Sequence, residues 1–228
     1  MRILAIDTSN GAASSAVVDA LSGEALAARC EPMAHGHAEA LGPIVEQVIG
    51  EVDGGFASIG VIAVAVGPGS FTGIRVGLAM ARALALALEL PIVGVSSLEA
   101  FAEPLFDAAR AGVVLAAIDA KHGGFYLQAF EPAGRPLYPP RLVNLREAIA
   151  AVGPGPTRVV GDCAEALASA ARRDGVACES AAAAHPDIVA VARVGARLDP
   201  RQNPPRPLYV KPPDARPKAV EAIARAER

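Results

Sequence analysis

The chain has 228 residues, of which 52% are hydrophobic and 20% are charged, and its formal net charge is −3. This balance excludes an intrinsically disordered chain, because disorder requires low hydrophobicity together with high net charge. Three cysteines, Cys30, Cys163 and Cys178, are odd in number and widely spaced, so we expect free thiols and a cytoplasmic location. No unbroken apolar run reaches the length of a bilayer span, and we expect no contact with a membrane.

The start of the chain predicts three antiparallel strands joined by tight turns. Residues 2–7 are mostly apolar and end at Asp7, and residues 8–11 have the composition of a turn before a second strand. A third strand is expected over residues 24–29. Apolar residues then follow helical spacing after His37, and these positions are Leu41, Ile44, Val45, Val48 and Ile49.

A buried strand, a glycine loop and a long helix come next. Residues 59–66 are a continuous run of β-branched residues, glycine and alanine, which is typical of a strand covered on both faces. The loop at 67–73 leads into an Ala- and Leu-rich helix that extends to about Leu88, and a short strand follows at 91–95. The order βββαβαβ predicts one α/β unit over residues 1–97.

The second half repeats the opening pattern. A helix over 98–110 precedes an apolar strand at 113–119, which ends at Asp119 and leads through a turn into a strand at 125–130. Because strand, Asp, turn and strand recur in the same order, we infer a degenerate duplication with a smaller second unit over 98–200. The later elements predicted for this unit are a helix at 145–152, a strand at 158–160 and helices at 164–173 and 187–198.

Residues 201–228 form a basic, proline-rich tail. Seven Lys and Arg residues stand against three acidic ones, which gives the tail a net charge of +4 and leaves −7 for the first 200 residues. Prolines prevent the tail from continuing a helix or pairing inside a sheet, so we expect it to run extended over the surface. Two alternatives stay open for it, namely packing against the acidic body and contact with RNA phosphates.

The two hairpin turns are candidate phosphate loops, because a tight turn with exposed N–H groups makes an anion-binding concavity. Asp7, Thr8 and Ser9 belong to the first turn and Asp119 to the second. This duplicated arrangement resembles the actin, Hsp70 and sugar-kinase superfamily, in which the turn wraps nucleotide phosphates and the carboxylate orients a metal-bound water. Neither turn is rich in glycine and no glycine-rich adenosine loop follows, so we predict no cofactor.

The most specific motif is Gly-Pro-Gly-Ser-Phe-Thr-Gly-Ile-Arg at residues 67–75. We expect unusual backbone angles at Gly67 and Gly69, close packing at Gly73, and a Ser or Thr cap on the helix. No Lys follows the last glycine, so the motif is not a Walker loop. Together with Ile-Leu-Ala-Ile-Asp-Thr-Ser before it and Val-Gly-Val-Ser-Ser-Leu after it, the motif resembles the TsaB family. That family usually ends its tail motif with Tyr-Leu-Arg, whereas this chain has Tyr-Val-Lys at 209–211.

The resemblance implies both a fold and a function. The fold is two degenerate actin-like (ribonuclease H-like) α/β units, each a mixed sheet flanked by helices. The function is that of a non-catalytic partner of TsaD in attaching threonylcarbamoyl to the tRNA adenosine beside the anticodon. The implied partners are TsaD in a heterodimer, the TsaE ATPase through that pair, and a second copy of the chain when TsaD is absent. Contact with tRNA is expected to be mainly indirect.

Histidine spacing gives no metal site. TsaD carries a His-x-x-x-His pair on a helix, whereas the nearest candidates here, His35 and His37, are two residues apart and would point away from each other on a helix. The chain has no Gly-x-Ser-x-Gly elbow either. We therefore predict no metal site and no catalytic residues. The alternative function is that of an enzyme: an independent sugar-kinase or ATPase-type protein that uses Asp7 and Asp119.

Two helices are candidates for the pairing surface, one after His37 and one after the glycine loop. Both are apolar over more than one face, so each can cover its own sheet and also meet a partner. The resemblance places the contact with TsaD on these helices. The predicted interface residues are Leu41, Ile44, Val45, Val48, Phe71, Ile74, Arg75, Leu78, Ala81 and Arg82.

Overall fold

The first of two five-stranded sheets comes from the start of the chain in this computed structural model, which describes residues 1–210. Its strands are β1 (Arg2–Asp7), β2 (Ala12–Asp19), β3 (Ala25–Pro32), β4 (Ile59–Gly67) and β5 (Ile92–Ser96). The strand order is β3-β2-β1-β4-β5, antiparallel from β3 to β1 and parallel from β1 to β5. Helix α1 (His37–Gly50) precedes β4 and helix α2 (Phe71–Leu88) follows it, which confirms the predicted order βββαβαβ.

The second sheet repeats the topology of the first. Its strands are β6 (Val113–Asp119), β7 (Gly124–Phe130), β8 (Arg141–Asn144), β9 (Thr157–Gly161) and β10 (Glu179–Ala182). The order β8-β7-β6-β9-β10, with the same change from antiparallel to parallel pairing, matches the first sheet strand for strand. The helices of this part are α3 (Ser97–Ala102), α4 (Leu145–Val152), α5 (Ala164–Arg173) and α6 (Ile188–Arg197). The predicted fold class, two degenerate actin-like α/β units with mixed sheets, is confirmed.

One predicted helix is too long, and two short strands were not predicted. The helix expected over 98–110 ends at Ala102, and a short 3-10 turn at Glu103–Leu105 follows, because Pro104 has no N–H with which to continue the helix. β8 and β10 have four residues each and are only partly buried. They therefore lack the long apolar runs from which the other strands were predicted.

Helix α6 departs from the predicted boundary between the units. We expected it to belong to the second unit, but it packs on the first sheet, where Ile188, Val191 and Val194 join a buried cluster with Ile3 and Val93. A Cβ added at Gly195 would lie 2.6 Å from the Cβ of Ala63, so this glycine lets the helix approach β4 closely. The first sheet is thus covered by α1 and α2 on one face and by α6 on the other.

Within residues 1–210, α2 is the one helix whose length and apolar composition would suffice for a membrane span. Its inner side is buried against the first sheet, at Gly73, Ile74, Gly77, Leu78, Ala81 and Ala85. Arg75 and Arg82 lie on its outer side and are exposed. The apolar composition of α2 is therefore explained by its packing on the first sheet.

After α6 the chain returns to the first sheet and runs beside α2. Residues 203–209, here called the strap, are in no helix or strand. The N–H of Gly94 donates to the carbonyl of Asn203 at 2.9 Å, and the N–H of Leu208 donates to the carbonyl of Val66 at 2.8 Å. Packing against the body, the first alternative for the tail, is therefore what the described part of the tail does. The basic residues from Lys211 onward lie outside the described residues.

Candidate functional site

The first hairpin turn is buried. Asp7, at the end of β1, is only 2% exposed, and its Oδ1 accepts a hydrogen bond of 2.7 Å from the N–H of Ser9. Burial raises the pKa of the Asp7 carboxyl above its ordinary value, against the Ser9 hydrogen bonds and the charges of His185 and His37. A carboxylate so enclosed is engaged by its own turn and is not exposed to the cleft as an orienting group for a metal-bound water.

The glycine loop closes over this turn. The N–H of Ser70 donates to the carbonyl of Ser9 at 2.7 Å, and the hydroxyl of Thr8 donates to the carbonyl of Gly73 at 2.6 Å. A Cβ added at Gly69 would overlap the carbonyl of Ser9, and one added at Gly73 would overlap that of Thr8. The backbone of the loop thus packs directly against the backbone of the turn.

The three glycines of the loop do different things. Gly67 has φ +99°, a conformation that favours glycine, as predicted. Gly69 has no positive φ, so the expected unusual backbone angle is wrong there, and its requirement is close approach. Gly73 provides close packing as expected, and Ser70 caps α2 through a 3.2 Å hydrogen bond from the Gly73 N–H.

The second hairpin turn is open to solvent. Asp119 accepts hydrogen bonds from the Lys121 N–H at 2.7 Å and from the Lys121 ammonium at 3.0 Å, and its own N–H donates to Asp162 Oδ1 at 2.8 Å. Partial burial raises the pKa of Asp119, but the hydrogen bonds and charge of Lys121 outweigh it and lower that pKa overall. Lys121, His122 and Gly123 all have positive φ, so the turn is held in a left-handed conformation.

A cleft of about 340 Å³ lies between the two turns. Its walls include Ser9–Gly11 from the first turn, Gly69–Phe71 from the glycine loop and Asp119–Lys121 from the second turn. The carboxylates of Asp119 and Asp162 line it together with a single lysine, Lys121, which is already paired with Asp119. The lining therefore offers little positive charge to a nucleotide's phosphates.

Asp162 is a cleft residue that the sequence analysis did not name. It follows β9 directly, and β9 lies parallel to β6, so Asp119 and Asp162 emerge at the same edge of the second sheet. Burial raises the pKa of Asp162, opposed chiefly by the hydrogen bond from the Asp119 N–H. The position of an acidic residue just after a predicted buried strand was the available signal.

The histidines are scattered among different surroundings. His35 and His122 are exposed, while His37 is partly buried at the start of α1 and lines the cleft. His185 contacts the Cys30 thiol, with a nitrogen-to-sulfur distance of 3.6 Å. Residues 1–210 contain no group of three His, Cys, Asp or Glu side chains placed to hold a metal ion.

The predicted interface residues divide into two groups. Seven of them are wrong as surface residues, because each is at most 3% exposed and packs in the core beneath the helices: Leu41, Ile44, Val45, Val48, Ile74, Leu78 and Ala81. Phe71, Arg75 and Arg82 lie on the outer side of α2 and are exposed. The outer side of α2 also carries Leu86, which is 83% exposed and which the sequence analysis did not select.

Comparison with known proteins identifies the family. The family model described as TsaD, tRNA N6-adenosine threonylcarbamoyltransferase, matches residues 31–159. The tRNA threonylcarbamoyladenosine biosynthesis protein TsaB of Escherichia coli is 37% identical over 131 residues, which is 58% of this chain and 55% of that protein. The Bacillus subtilis protein of the same name is 35% identical over 133 residues, 54% of this chain and 57% of that protein. This chain belongs to the TsaB family.

Other proteins match along more of the length. An uncharacterized protein of Mycobacterium tuberculosis is 32% identical over 220 residues, covering 96% of this chain and 95% of that protein. The solved structure of YeaZ from Pseudomonas aeruginosa superposes with a TM-score of 0.76 at 25% identity, covering 91% of this chain and 99% of YeaZ. By contrast, the chain spans about half the length of the first curated TsaB relatives that it matches.

Proposed function

We propose that this TsaB-family chain is a non-catalytic subunit that supports the formation of N6-threonylcarbamoyladenosine in tRNA by pairing with a TsaD-type transferase. The TsaB-named relatives support the pathway, and the match to a TsaD family model supports a partner built on the same kind of unit. The observation that carries the proposal is the outer face of α1 and α2. This face carries both apolar and charged exposed side chains, and the described residues cover only its edge, where the strap contacts Phe71, Arg75 and Arg82.

The charges on this outer face are arranged for pairing. Exposed Glu39 and Glu46 lie on α1, whereas exposed Arg75 and Arg82 lie on α2, next to the apolar side chain of Leu86. A two-fold axis across such a face places the acidic helix of one copy against the basic helix of the other. The same surface thus supports a homodimer of the isolated chain and a heterodimer with a related subunit that has the same two helices.

The cleft supports a role without chemistry in this chain. Transfer of an acyl group needs donors aimed at the developing oxyanion. Asp7 is buried and accepts a hydrogen bond from the Ser9 N–H, the Ser70 N–H of the glycine loop donates to the Ser9 carbonyl, and Lys121 is engaged with Asp119. The alternative of an ATPase-type enzyme depends on Asp7 and Asp119 as active carboxylates, and neither is free in this arrangement. We therefore assign the chemistry to the partner.

Mass measurement of the chain mixed with TsaD from the same source tests the proposal. We expect a heterodimer, lost in Ala79→Glu because Ala79 is exposed on the outer side of α2, and retained in the matched control Ala166→Glu on α5. Leu78→Glu and Val45→Glu do not test the surface, because both side chains are buried and a charge there would unfold the chain. Failure of the wild-type chain to pair, or modification of tRNA by the chain alone, would contradict the proposal.

A further inference from the structure

We propose that the strap is a third side of the pairing surface, beside α1 and α2, and that it receives an apolar helix face edged with carboxylates from the TsaD-type partner. This inference rests on the proposed function. It concerns the guanidinium groups of Arg75, Arg82 and Arg206, and the pair of aromatic rings at the end of the strap, Phe71 and Tyr209.

The strap is fixed along the flank of α2 by contacts at both of its ends. Near one end the Arg82 guanidinium donates to the carbonyl of Pro205. Near the other, Leu208 packs against the core under α2, and the Arg75 guanidinium donates to the Tyr209 hydroxyl at 3.4 Å. The outer side of α2 is therefore bordered by α1 on one flank and by the strap on the other. A partner that covers α2 meets the strap as well.

The end of the strap forms a preorganised aromatic cluster. The rings of Phe71 and Tyr209 lie 6.0 Å apart, and the guanidinium carbon of Arg75 lies 3.7 Å from the centre of the Phe71 ring. The two aromatic residues are 56% and 52% exposed. Exposed aromatic and arginine side chains that are already held in place are the usual anchors of protein interfaces, since little side-chain freedom is lost on binding.

The charges around the strap indicate what the partner presents. Within residues 1–210, Arg75, Arg82 and Arg206 have no carboxylate within 4.0 Å. A planar guanidinium matches a carboxylate through two parallel hydrogen bonds. Three such groups at the edge of an apolar patch are complementary to an apolar helix face with acidic residues at its margin.

The same face argues for a protein partner in preference to RNA. Glu39 and Glu46 on α1 share it with the arginines and would repel a phosphate backbone. The patch beside the arginines is apolar, with Phe71, Leu86 and Tyr209 exposed. Charges of both signs around an apolar centre are typical of protein interfaces, whereas RNA-binding surfaces are predominantly basic.

Titration calorimetry of strap variants with the TsaD-type partner tests the inference. We expect Tyr209→Ala and Arg206→Glu each to weaken the affinity about tenfold or more, and Arg206→Lys to weaken it less. Added salt is expected to weaken binding of the wild-type chain more than that of Arg206→Glu. Arg146→Glu, which changes an exposed arginine on α4, is the matched control and is expected to bind like the wild type. Melting temperatures check that every variant is folded.

The outcomes separate the strap from the proposed function. If Ala79→Glu abolishes pairing while the strap variants bind like the wild type, the role of the strap is wrong and the proposed function stands. If the wild-type chain does not bind the partner at all, both are wrong. If Arg206→Glu lowers the affinity for tRNA and leaves partner affinity unchanged, the surface binds RNA and the inference is overturned.

Discussion

The two hairpin turns start from the same sequence pattern and end in opposite surroundings. In the first, Asp7 is buried and accepts a hydrogen bond from the Ser9 N–H of its own turn, and the glycine loop packs against Thr8 and Ser9 of that turn. In the second, Asp119 lies at the edge of an open cleft and is paired with Lys121. Both sheets have the same strand order, so the topology does not cause the difference. The difference comes from what packs on the turn, which is the start of α2 in one case and solvent in the other.

This contrast shows how one topology can bury one hairpin turn and expose the other. The first turn is part of the core, with its carbonyl groups engaged by the loop that follows β4. The second turn is exposed, and its carboxylate is paired with a neighbouring ammonium group. Substitutions in the second turn, compared with substitutions in the first turn or in the glycine loop that packs on it, therefore separate a packing role from a surface role.

The largest expected difference is between Gly73→Ala and Gly123→Ala. A Cβ at Gly73 would overlap the carbonyl of Thr8, and because backbone cannot easily move aside, we expect a loss of about 3 kcal/mol in the free energy of unfolding. Gly123 has φ +78° and no atom within 4 Å of an added Cβ, so the loss there is expected to be about 1 kcal/mol, from backbone conformation alone. Urea unfolding followed by circular dichroism measures both, and equal losses would mean that the first turn is not packed as described.

The next effect is the pH dependence that Asp7 gives to stability. Because its folded pKa is raised above the ordinary value of 3.8 by burial, the folded chain binds this proton more tightly than the unfolded chain. The contribution to stability is therefore full below the unfolded pKa and is lost as the pH rises through the folded pKa. Asp7→Asn removes this loss and keeps an acceptor for the Ser9 N–H. We expect the free energy of unfolding of the variant to rise relative to that of the wild type as the pH is raised from about 4 to 7.

Unfolding curves at several pH values in that interval measure the Asp7 effect. A stability difference between variant and wild type that does not change with pH would contradict the conclusion that burial raises the pKa of Asp7. Ser14→Ala, at a buried β2 residue whose hydroxyl donates to the Asp7 carbonyl at 3.4 Å and not to its carboxylate, is the matched control. It is expected to leave the shape of the pH profile unchanged.

The smallest effect is expected from Asp119→Asn. The lowered pKa of Asp119 means that its ion pair with Lys121 stabilises the fold above the unfolded pKa of 3.8 and is lost as the pH falls through the folded pKa. The Asp119 side chain is 41% exposed and that of Lys121 is 76% exposed, so the loss at neutral pH is expected to be within about 0.5 kcal/mol. High salt should abolish this difference in thermal unfolding, whereas a large, salt-independent loss would mean that the second turn is structural.

Much of the fold follows from local sequence patterns. The strand that ends at Asp7, its repeat at Asp119 and the helical spacing after His37 depend on residues close in sequence, and the structure confirms them. The packing of α6 on the first sheet depends on contacts between residues more than a hundred positions apart, such as Gly195 and Ala63. Periodicity within a helix carries no information about which sheet it covers.

The site was harder to predict because α2 is apolar on nearly every side. Leu78 and Leu86 are the same type of residue in the same helix, yet Leu78 is 2% exposed and Leu86 is 83% exposed. Only the position of the helix on its sheet decides which of them is available to a partner. The same holds for Asp7 and Asp119, whose local sequences are alike and whose burial differs because of residues distant in the chain.

Reconstituted threonylcarbamoylation of tRNA with TsaD and the remaining factors tests most directly whether this chain acts through its surface and not through its cleft. Two variants are compared with the wild type: the double cleft variant Asp119→Asn with Lys121→Ala, and the surface variant Ala79→Glu. We predict that the cleft variant supports modification at close to the wild-type rate and that the surface variant, although folded, does not. Loss of modification in the cleft variant, with full activity in the surface variant, would contradict the account.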